Sequence, residues 1–315
     1  MKIRDLFRSI DPESDILIFD TDLGTDDAAA IMLLAKKCRI LPDYMIASGG
    51  NTSPSQAIKN AIILKKYFGL DKITVVKGLI PECIKNGEQN TFHGSDGLAG
   101  ISEDMADILR LTDENYSDFI TFDDFQERLT SAREITYISV GPVTSLAALL
   151  CRKHVRKKIK KAYVMGGGIN ESNCEHSTEF NFSKDPESVK KIFASGTDIT
   201  LFPLDLTNHQ NLTEEQIDAL EKTGAYPEYI KLFRFNLESN TKYDGIDKAV
   251  LHDCMPVLYY LDPSPFKTED MPVITDELGA TKISADGVSI HIAIEAPDDL
   301  LFSEFNSIFN GGKNA

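Results

Sequence analysis

The chain has 315 residues, 42% of them hydrophobic and 26% charged, which is typical of a globular protein with a substantial core. Its formal net charge of −16 repels phosphates and anionic lipids, so nucleic acid and membranes are excluded as expected partners. The N-terminus lacks a signal-like apolar run, no stretch of about 20 apolar residues occurs, and the five cysteines form no C-x-x-C pair. We therefore expect a reduced, cytoplasmic protein.

Short β-branched segments alternate with amphipathic segments up to about residue 205. Strands are predicted at 16–19, 44–48, 73–78, 135–141, 161–168 and 198–205, and helices at 26–37, 55–68, 144–151 and 185–194. This alternation is typical of βαβ units. It predicts an α/β fold with an open, mostly parallel, Rossmann-like sheet flanked by helices.

The pattern changes after about residue 205. Helices are predicted at 214–220, 227–238 and 253–261, followed by strands at 281–284 and 289–294 and a terminal helix at 298–309. The sequence contains no internal repeat, low-complexity tract or linker. We expect a single domain over residues 1–315, with extra C-terminal helices as an elaboration at about 206–262.

Polar residues follow several of the predicted strands. The acidic segment 20–27 follows the first strand, 49–51 the second, Val140 the fourth and glycines 166–168 the fifth, while Asp205 closes the sixth. Open parallel sheets bind ligands beyond the carboxyl ends of their strands. The sequence therefore predicts that these residues belong to one site.

The segment FDTDLGTDDAA at 19–29 places Asp20, Asp22, Asp26 and Asp27 between a buried strand and a helix. Crowded carboxylates repel one another, and a hard divalent cation with oxygen ligands removes that repulsion. The plainer alternative is that Thr25 caps the helix while Asp26 and Asp27 stabilise its positive end. That alternative leaves half of the carboxylates unexplained.

Two other functions are compatible with part of this pattern. A D-x-D motif after a strand also occurs in aspartyl-phosphate phosphatases, where the first aspartate, here Asp20, is the nucleophile. The alternative that is not an enzyme is a binding protein of the same fold, which would hold ribose or nucleosides without cleaving them.

Several motifs together resemble one enzyme family. DTDLGTDDA is similar to the signature DTDPGxDDA of the inosine–uridine-preferring nucleoside hydrolases, although Leu23 replaces the usual proline. Further similar segments follow in the family's order: SGGN (48–51), HGSDGLAG (93–100), VGPVTSLAALL (140–150, with Ser145 for the usual Asn), VMGGG (164–168), NCEHSTEFNFSKDPE (173–187) and LHDCMPV (251–257).

The resemblance implies a calcium-dependent enzyme that uses water to split ribonucleosides into ribose and free base. It implies that Asp22, Asp27 and Asp253 bind Ca²⁺ through their carboxylates and Val140 through its main-chain carbonyl. Asp22 is also the expected general base, because Ca²⁺ acidifies bound water far less than Zn²⁺ does.

The resemblance also implies the residues that hold the substrate. The expected ribose contacts are Asp26, Asn51, Met165, Asn173, Glu179 and Asn181. His252 and His93 are the candidates for assisting the departing base. Uncharged hydroxyls suit an acidic pocket, so we expect nucleosides rather than nucleotides.

The base itself is left open between purine, pyrimidine and modified bases. The chain contains no Trp, so the aromatic candidates for the base are Tyr226, Tyr229, Phe233 and Tyr243. Members of the family are commonly homodimers or homotetramers, and the same is expected of this chain.

Overall fold

The computed structural model describes residues 14–81, 83–84 and 91–311. The N-terminal segment on which the expectation of no signal peptide rests lies mostly outside these ranges. The strands are β1 (Ile16–Thr21), β2 (Tyr44–Ala47), β3 (Thr74–Lys77), β4 (Ile135–Ser139), β5 (Ile159–Met165), β6 (Ile199–Phe202), β7 (Asn211–Leu212), β8 (Ala249–Val250), β9 (Lys267–Thr275), β10 (Thr281–Ile283) and β11 (Val288–Glu295).

The α-helices of the described ranges flank these strands. They are α1 (Thr25–Lys37), α2 (Pro54–Tyr67), α3 (Ser102–Ile108), α4 (Phe122–Arg128), α5 (Thr144–Leu150), α6 (Lys153–Arg156), α7 (Phe180–Lys184), α8 (Pro186–Phe193), α9 (Leu204–Thr207), α10 (Glu214–Glu221), α11 (Pro227–Tyr243), α12 (Cys254–Leu261) and α13 (Leu300–Gly311). None of these helices is long and apolar enough to cross a membrane.

The main sheet has nine strands in the order β10-β9-β11-β6-β5-β4-β1-β2-β3. From β3 to β11 all neighbours are parallel, and β9 and β10 add antiparallel pairs at one edge. This confirms the predicted α/β fold. After β1 the chain forms β2 and β3 on one side of this strand, and it later returns to form β4 on the other side. Such a switch point opens a crevice beyond the carboxyl ends of β1 and β4.

The central strand β1 is buried on both faces, as a parallel strand covered by helices should be. Alternate side chains point to opposite faces of a strand, so Phe19 packs into one apolar core with α1 while Ile18 packs into the other with Tyr137. The two cores fix the register of β1, and with it the position of the acidic segment that follows.

The first turn of α1 is closed by an aspartate. Gly24 is the N-cap residue, and Oδ2 of Asp27 accepts its backbone N–H at 2.7 Å. Thr25 is the first helical residue rather than the cap, so the alternative that assigned it a capping role is wrong. Asp26 and Asp27 of the acidic segment therefore belong to the first turn of α1.

The structure differs from the sequence-based expectation in several features, including the short helices α3, α4, α6, α7 and α9, which were not predicted. Segment 206–262 contains the antiparallel pair β7–β8 between its helices, so the elaboration is not purely helical. Strand β9 was not predicted, because its run KTEDMPVIT mixes charges and a proline at the edge of the sheet. Helix α11 continues past the predicted end at 238 to Tyr243. The single-domain organisation stays a prediction.

Candidate active site

A cavity of about 790 Å³ opens beyond the carboxyl ends of the central strands, a size typical of small-molecule sites. Its lining contains most of the predicted site residues: Asp26, Asn51, His93, Val140, Met165, Asn173, Glu179, Asn181, His252 and Asp253. The predicted residues Asp22 and Asp27 are fully buried and lie outside the described lining.

Three buried aspartates meet beneath this cavity. Asp26, Asp27 and Asp253 each offer a carboxylate oxygen, and these oxygens lie within 4.8 Å of one another. Asp22, which the sequence placed in the metal site, is not a member of this trio, although its carboxylate interacts electrostatically with Asp27 and Asp26. We call the four residues the acidic cluster.

Burial and the charge of neighbouring carboxylates disfavour ionisation of Asp22, Asp26 and Asp253. Burial, followed by the charge of Asp27, raises the pKa of Asp26 to about 8 and the pKa of Asp22 well above its usual range. The pKa of Asp253 is raised well above its usual range by burial and then by the charge of Asp26. Within the described ranges, the buried Oδ1 of Asp26 accepts no hydrogen bond. An oxygen-only donor set with excess negative charge fits a hard divalent cation.

Hydrogen bonds orient the two deepest carboxylates. Asn51 donates to Asp22 through its backbone N–H and its side-chain amide, and the amide also lies 3.2 Å from Oδ2 of Asp27. Oδ1 of Asp27 accepts from the hydroxyl of Thr21 at 2.5 Å. Asn51 was predicted to contact ribose; it lines the cavity, but its amide is directed at the carboxylates.

The opposite side of the cavity is organised by Glu179. Its carboxylate accepts the backbone N–H groups of Gly167, Asn181 and Phe182 at 2.8–3.0 Å, which closes the N-terminus of α7. Burial raises the pKa of Glu179 to about 7 although these hydrogen bonds favour the charged form. Glu179 therefore ties the glycine turn after β5 to α7.

The other predicted sugar contacts are held around this turn. The side-chain amide of Asn181 donates to the carbonyl of Val140 at 3.2 Å and approaches Sδ of Met165 at 3.4 Å. Oδ1 of Asn173 accepts the backbone N–H of Phe180 at 2.9 Å. All of these residues line one cavity with Asp26 and Asp253, as the sequence predicts.

His93 is buried and His252 is half-buried, and both are uncharged at neutral pH. Burial, assisted by the proximity of His252, lowers the pKa of His93 to about 3, and burial lowers the pKa of His252 to about 4. Nδ1 of His252 is hydrogen-bonded to the hydroxyl of Thr207 at 2.8 Å. Nδ1 of His93 lies 3.1 Å from the backbone nitrogen of Thr25.

Apart from Tyr243, the sequence analysis missed the residues on one side of the cavity. The residues Asn236, Asn240, Tyr243 and Asp244, which we call the α11 face, recur at helical spacing and line the cavity. This spacing was the available signal, but the predicted helix ended too early to show it. Phe92 completes the region, with its ring centroid 5.8 Å from that of Tyr243.

The four aromatic candidates for the base differ in their positions. Tyr243 lies in the described lining of the cavity, as proposed. Tyr229 and Phe233 are fully buried in the apolar core, and Tyr226 packs on Phe309 with ring centroids 5.3 Å apart. The assignment of these three residues to the base is therefore wrong.

Asp20 links β1 to the strands on both sides of it and lies outside the described lining of the cavity. It is fully buried, and its two oxygens accept hydrogen bonds from Ser48 at 2.7 Å and Tyr137 at 2.6 Å. Burial raises its pKa to about 7. Asp20 is a structural carboxyl beneath the site, which removes the basis of the phosphatase alternative.

Other acidic motif residues also shape the chain. Asp96 of the 93–100 loop accepts the backbone N–H groups of Leu98, Gly100 and Ser102 at 2.8–2.9 Å. Asp205 lies outside the described lining and accepts the backbone N–H groups of residues 169 and 170. These carboxylates hold loops around the cavity.

Residues 17–296 match the sequence model of a family described as inosine-uridine preferring nucleoside hydrolase. The pyrimidine-specific ribonucleoside hydrolase RihB of Shigella flexneri serotype 5b (strain 8401) is 28% identical over 271 residues, which covers 82% of each chain. Its counterpart from Escherichia coli (strain K12 / DH10B) is 29% identical over 266 residues, again covering 82% of each chain.

Solved structures agree in fold. A plant nucleoside hydrolase superposes with a TM-score of 0.81 at 23% identity, covering 95% of this chain and 99% of the other. A purine-preferring ribonucleoside hydrolase from Gardnerella vaginalis also gives 0.81, at 22% identity, covering 96% of this chain and 100% of the other.

Proposed function

The chain belongs to the inosine-uridine preferring nucleoside hydrolase family and hydrolyses the N-glycosidic bond of ribonucleosides, and we propose that it does so with Ca²⁺ bound at the acidic cluster. The observation that supports a metal site is the buried trio of Asp26, Asp27 and Asp253. Because the family and the relatives are nucleoside hydrolases, we no longer consider the alternative of a non-catalytic binding protein.

The proposed ligands are the carboxylates of Asp22, Asp27 and Asp253 and the carbonyl of Val140. When bound, Ca²⁺ supplies positive charge that offsets the carboxylates and orients water and ribose hydroxyls. The preference for Ca²⁺ over Mg²⁺ rests on the crowded, all-oxygen donor set, since Mg²⁺ usually keeps several waters.

Asp22 is proposed as the general base. It takes one proton from the attacking water as the water oxygen bonds to C1′ and the bond from C1′ to the base nitrogen breaks. The two hydrogen bonds from Asn51 fix the direction of the Asp22 carboxylate. A positioned base of this kind contributes roughly 10²–10⁴-fold to the rate.

The remaining residues hold the ribose. Oδ1 of Asp26, which accepts no hydrogen bond within the described ranges, is suited to accept one from a ribose hydroxyl. Asn173, Glu179 and Asn181 are proposed to bind further hydroxyls, with Met165 against the sugar ring. Such contacts favour an oxocarbenium-like sugar when they strengthen in the transition state.

His252 and His93 are proposed to assist the departing base. Their low pKa values mean that each is a neutral hydrogen-bond donor or acceptor near pH 7, not an imidazolium. The names of the relatives state different bases, pyrimidine for RihB and purine for the Gardnerella vaginalis enzyme, so the base preference depends on this chain's own cavity.

We also propose a cytoplasmic homodimer or homotetramer. The acidic composition and the free cysteines support the compartment. Ile274, Leu278, Ile283 and Val288 expose 39–51% of their surface around the edge formed by β9 and β10, which supports association. Light scattering after gel filtration measures the oligomeric state.

The proposed metal is tested by removing it. The purified enzyme is treated with EGTA, desalted and assayed for reducing-sugar release from a panel of purine and pyrimidine nucleosides. We expect activity to be lost and then restored by Ca²⁺, but not to the same level by Mg²⁺. Full activity after metal removal verified by elemental analysis would contradict the proposal.

A further inference from the structure

A series of buried hydrogen bonds joins α11 to His93 along the cavity. The amide nitrogen of Asn240 donates to Oδ1 of Asn236 at 2.7 Å, and the amide nitrogen of Asn236 donates to Oγ1 of Thr25 at 3.1 Å. Oγ1 of Thr25 lies 2.9 Å from Nδ1 of His93. Each of the four residues is at most 6% exposed, so water does not compete freely for these bonds.

The chemistry of the donors gives this series a direction. An amide nitrogen can only donate, so the hydroxyl oxygen of Thr25 is the acceptor from Asn236. The hydroxyl proton of Thr25 is then available to Nδ1 of His93. The backbone N–H of Thr25 donates to the same nitrogen at 3.1 Å.

Two donors therefore converge on Nδ1 of His93, which must present its lone pair to them. Oδ1 of Asp26 lies 3.7 Å from the same nitrogen, beyond hydrogen-bond distance. The ring proton of the neutral imidazole is then on Nε2. The ring is also confined sterically, since a Cβ placed on Gly24 would lie 2.9 Å from Nδ1. Because His93 lines the cavity, Nε2 is the nitrogen left for a bound molecule.

We propose that Thr25 and Asn236 are positioning residues that hold His93 as the neutral Nε2–H tautomer, so that this N–H donates a hydrogen bond to the departing nucleobase. The proposal rests on the proposed function in that it places the ribose at Asp26 and the base towards His93 and the α11 face. The base leaves with the electron pair of the broken C1′–N bond and takes its proton from solvent. His93 keeps its own proton, and Asp22 later returns the proton of water to solvent.

The tautomer can be tested in the resting protein, without turnover. Long-range ¹H–¹⁵N spectra of the protein labelled with [¹⁵N]histidine distinguish the two neutral tautomers and the imidazolium, and the spectrum of His93→Gln assigns the signal. We expect the Nε2–H form between pH 6 and pH 9, with and without Ca²⁺. An Nδ1–H form, or an imidazolium in this range, would overturn the proposal even if the enzyme is an active Ca²⁺-dependent hydrolase.

Kinetics test whether the arrangement acts on the leaving base. Thr25→Val removes the hydroxyl at nearly constant volume, and Thr25→Ser is the matched control that restores it. The two substrates are a natural nucleoside and 4-nitrophenyl riboside, whose nitrophenolate departs without assistance. We expect Thr25→Val to lower kcat about tenfold for the nucleoside and less than about twofold for the nitrophenyl riboside, with KM nearly constant.

The conservative variant decides between positioning and packing. We expect Thr25→Ser to recover most of the lost kcat for the nucleoside. Equal losses for the two substrates, or no loss for either, would overturn the proposal, because the hydroxyl would then act on something other than departure of the base. If Thr25→Val does not fold, the wild-type tautomer still tests the proposal.

Discussion

Asn51 donates hydrogen bonds to both oxygens of Asp22, from its backbone N–H to Oδ2 and from its side-chain amide to Oδ1, each at 2.9 Å. This two-point contact fixes the plane of the carboxylate that is proposed to activate water. It also favours the charged form of Asp22 against burial and the charge of Asp27, which both raise its pKa.

Replacing Asn51 should therefore damage catalysis and metal binding together. Asn51→Leu removes the side-chain donor to Asp22 and Asp27 at similar volume. We expect kcat to fall roughly 10–100-fold and the Ca²⁺ affinity to weaken, since a hydrogen bond to a charged group contributes about 1.5–3 kcal/mol. Steady-state kinetics and calorimetric Ca²⁺ titration measure the two effects. Asn306→Leu, at an exposed position of α13, is the control. An Asn51→Leu variant with normal activity and normal Ca²⁺ affinity would contradict the role.

The roles of Asp22 and Asp26 should separate kinetically. We expect Asp22→Asn to lower kcat by about 10³-fold, and Asp26→Asn mainly to raise KM because it weakens a ribose contact. The Ca²⁺ affinity of each variant checks the ligand set. If Asp26→Asn weakens Ca²⁺ binding more than Asp22→Asn does, the ligands are the trio of Asp26, Asp27 and Asp253.

The stability of the metal-free protein should fall as the pH rises from 6.5 to 8. Asp20 and Asp26 have folded-state pKa values raised from 3.8 to about 7 and about 8, so their contribution to stability is largest at low pH and is lost as they ionise. His93 and His252 have lowered pKa values and destabilise the fold only below the ordinary histidine pKa of 6.5. Above that pH the carboxyl groups dominate.

Urea denaturation at pH 6.5 and pH 8, with EGTA or with saturating Ca²⁺, measures this effect. We expect Ca²⁺ to stabilise the protein more at pH 8, because binding at the lower pH must displace protons. If the free energy of unfolding of the metal-free protein rises from pH 6.5 to pH 8, ionisation of Asp20 and Asp26 does not destabilise the fold, and the prediction is wrong.

The residue after Asp22 allows a test of the loop conformation. Leu23 has φ of +62°, in the left-handed region, whereas proline is confined to φ near about −65°. We therefore expect Leu23→Pro, which restores the residue usual in the family signature, to shift the loop and lower both activity and Ca²⁺ affinity. Leu23→Met is the control, because it keeps an apolar side chain of similar size in this buried position. Normal activity in Leu23→Pro would disprove the loop conformation.

The sequence predicted the sheet and the position of the site because both depend on local patterns. Alternating segments specify βαβ units, and the strands of such units end at one edge of the sheet. The same reasoning could not decide which aspartates meet. Asp22 and Asp26 lie on opposite sides of a tight turn, and the side-chain directions there depend on Leu23, Gly24 and Asn51.

The side of the cavity formed by α11 was hidden for a different reason. Ser239, Asn240 and Thr241 have weak intrinsic helix preference, so the helix was expected to end before them. In the structure the amide of Asn240 donates to the backbone carbonyl of Asn236, and Ser239 donates to the carbonyl of Phe92 at 2.7 Å. The bond from Ser239 to Phe92 is a tertiary contact, and such contacts override propensity and cannot be read from a single sequence.

The proposed metal ligands and the α11 face are carried by different parts of the chain. The ligands follow β1, β4 and β8, whereas the α11 face belongs to a helix whose other side packs in the core. We therefore expect changes at Tyr243, which lies outside the hydrogen-bond series that holds His93, to alter which nucleobases are accepted without displacing the proposed metal ligands. In an enzyme built in this way, substitutions on one helix are enough to change the nucleobase preference during evolution.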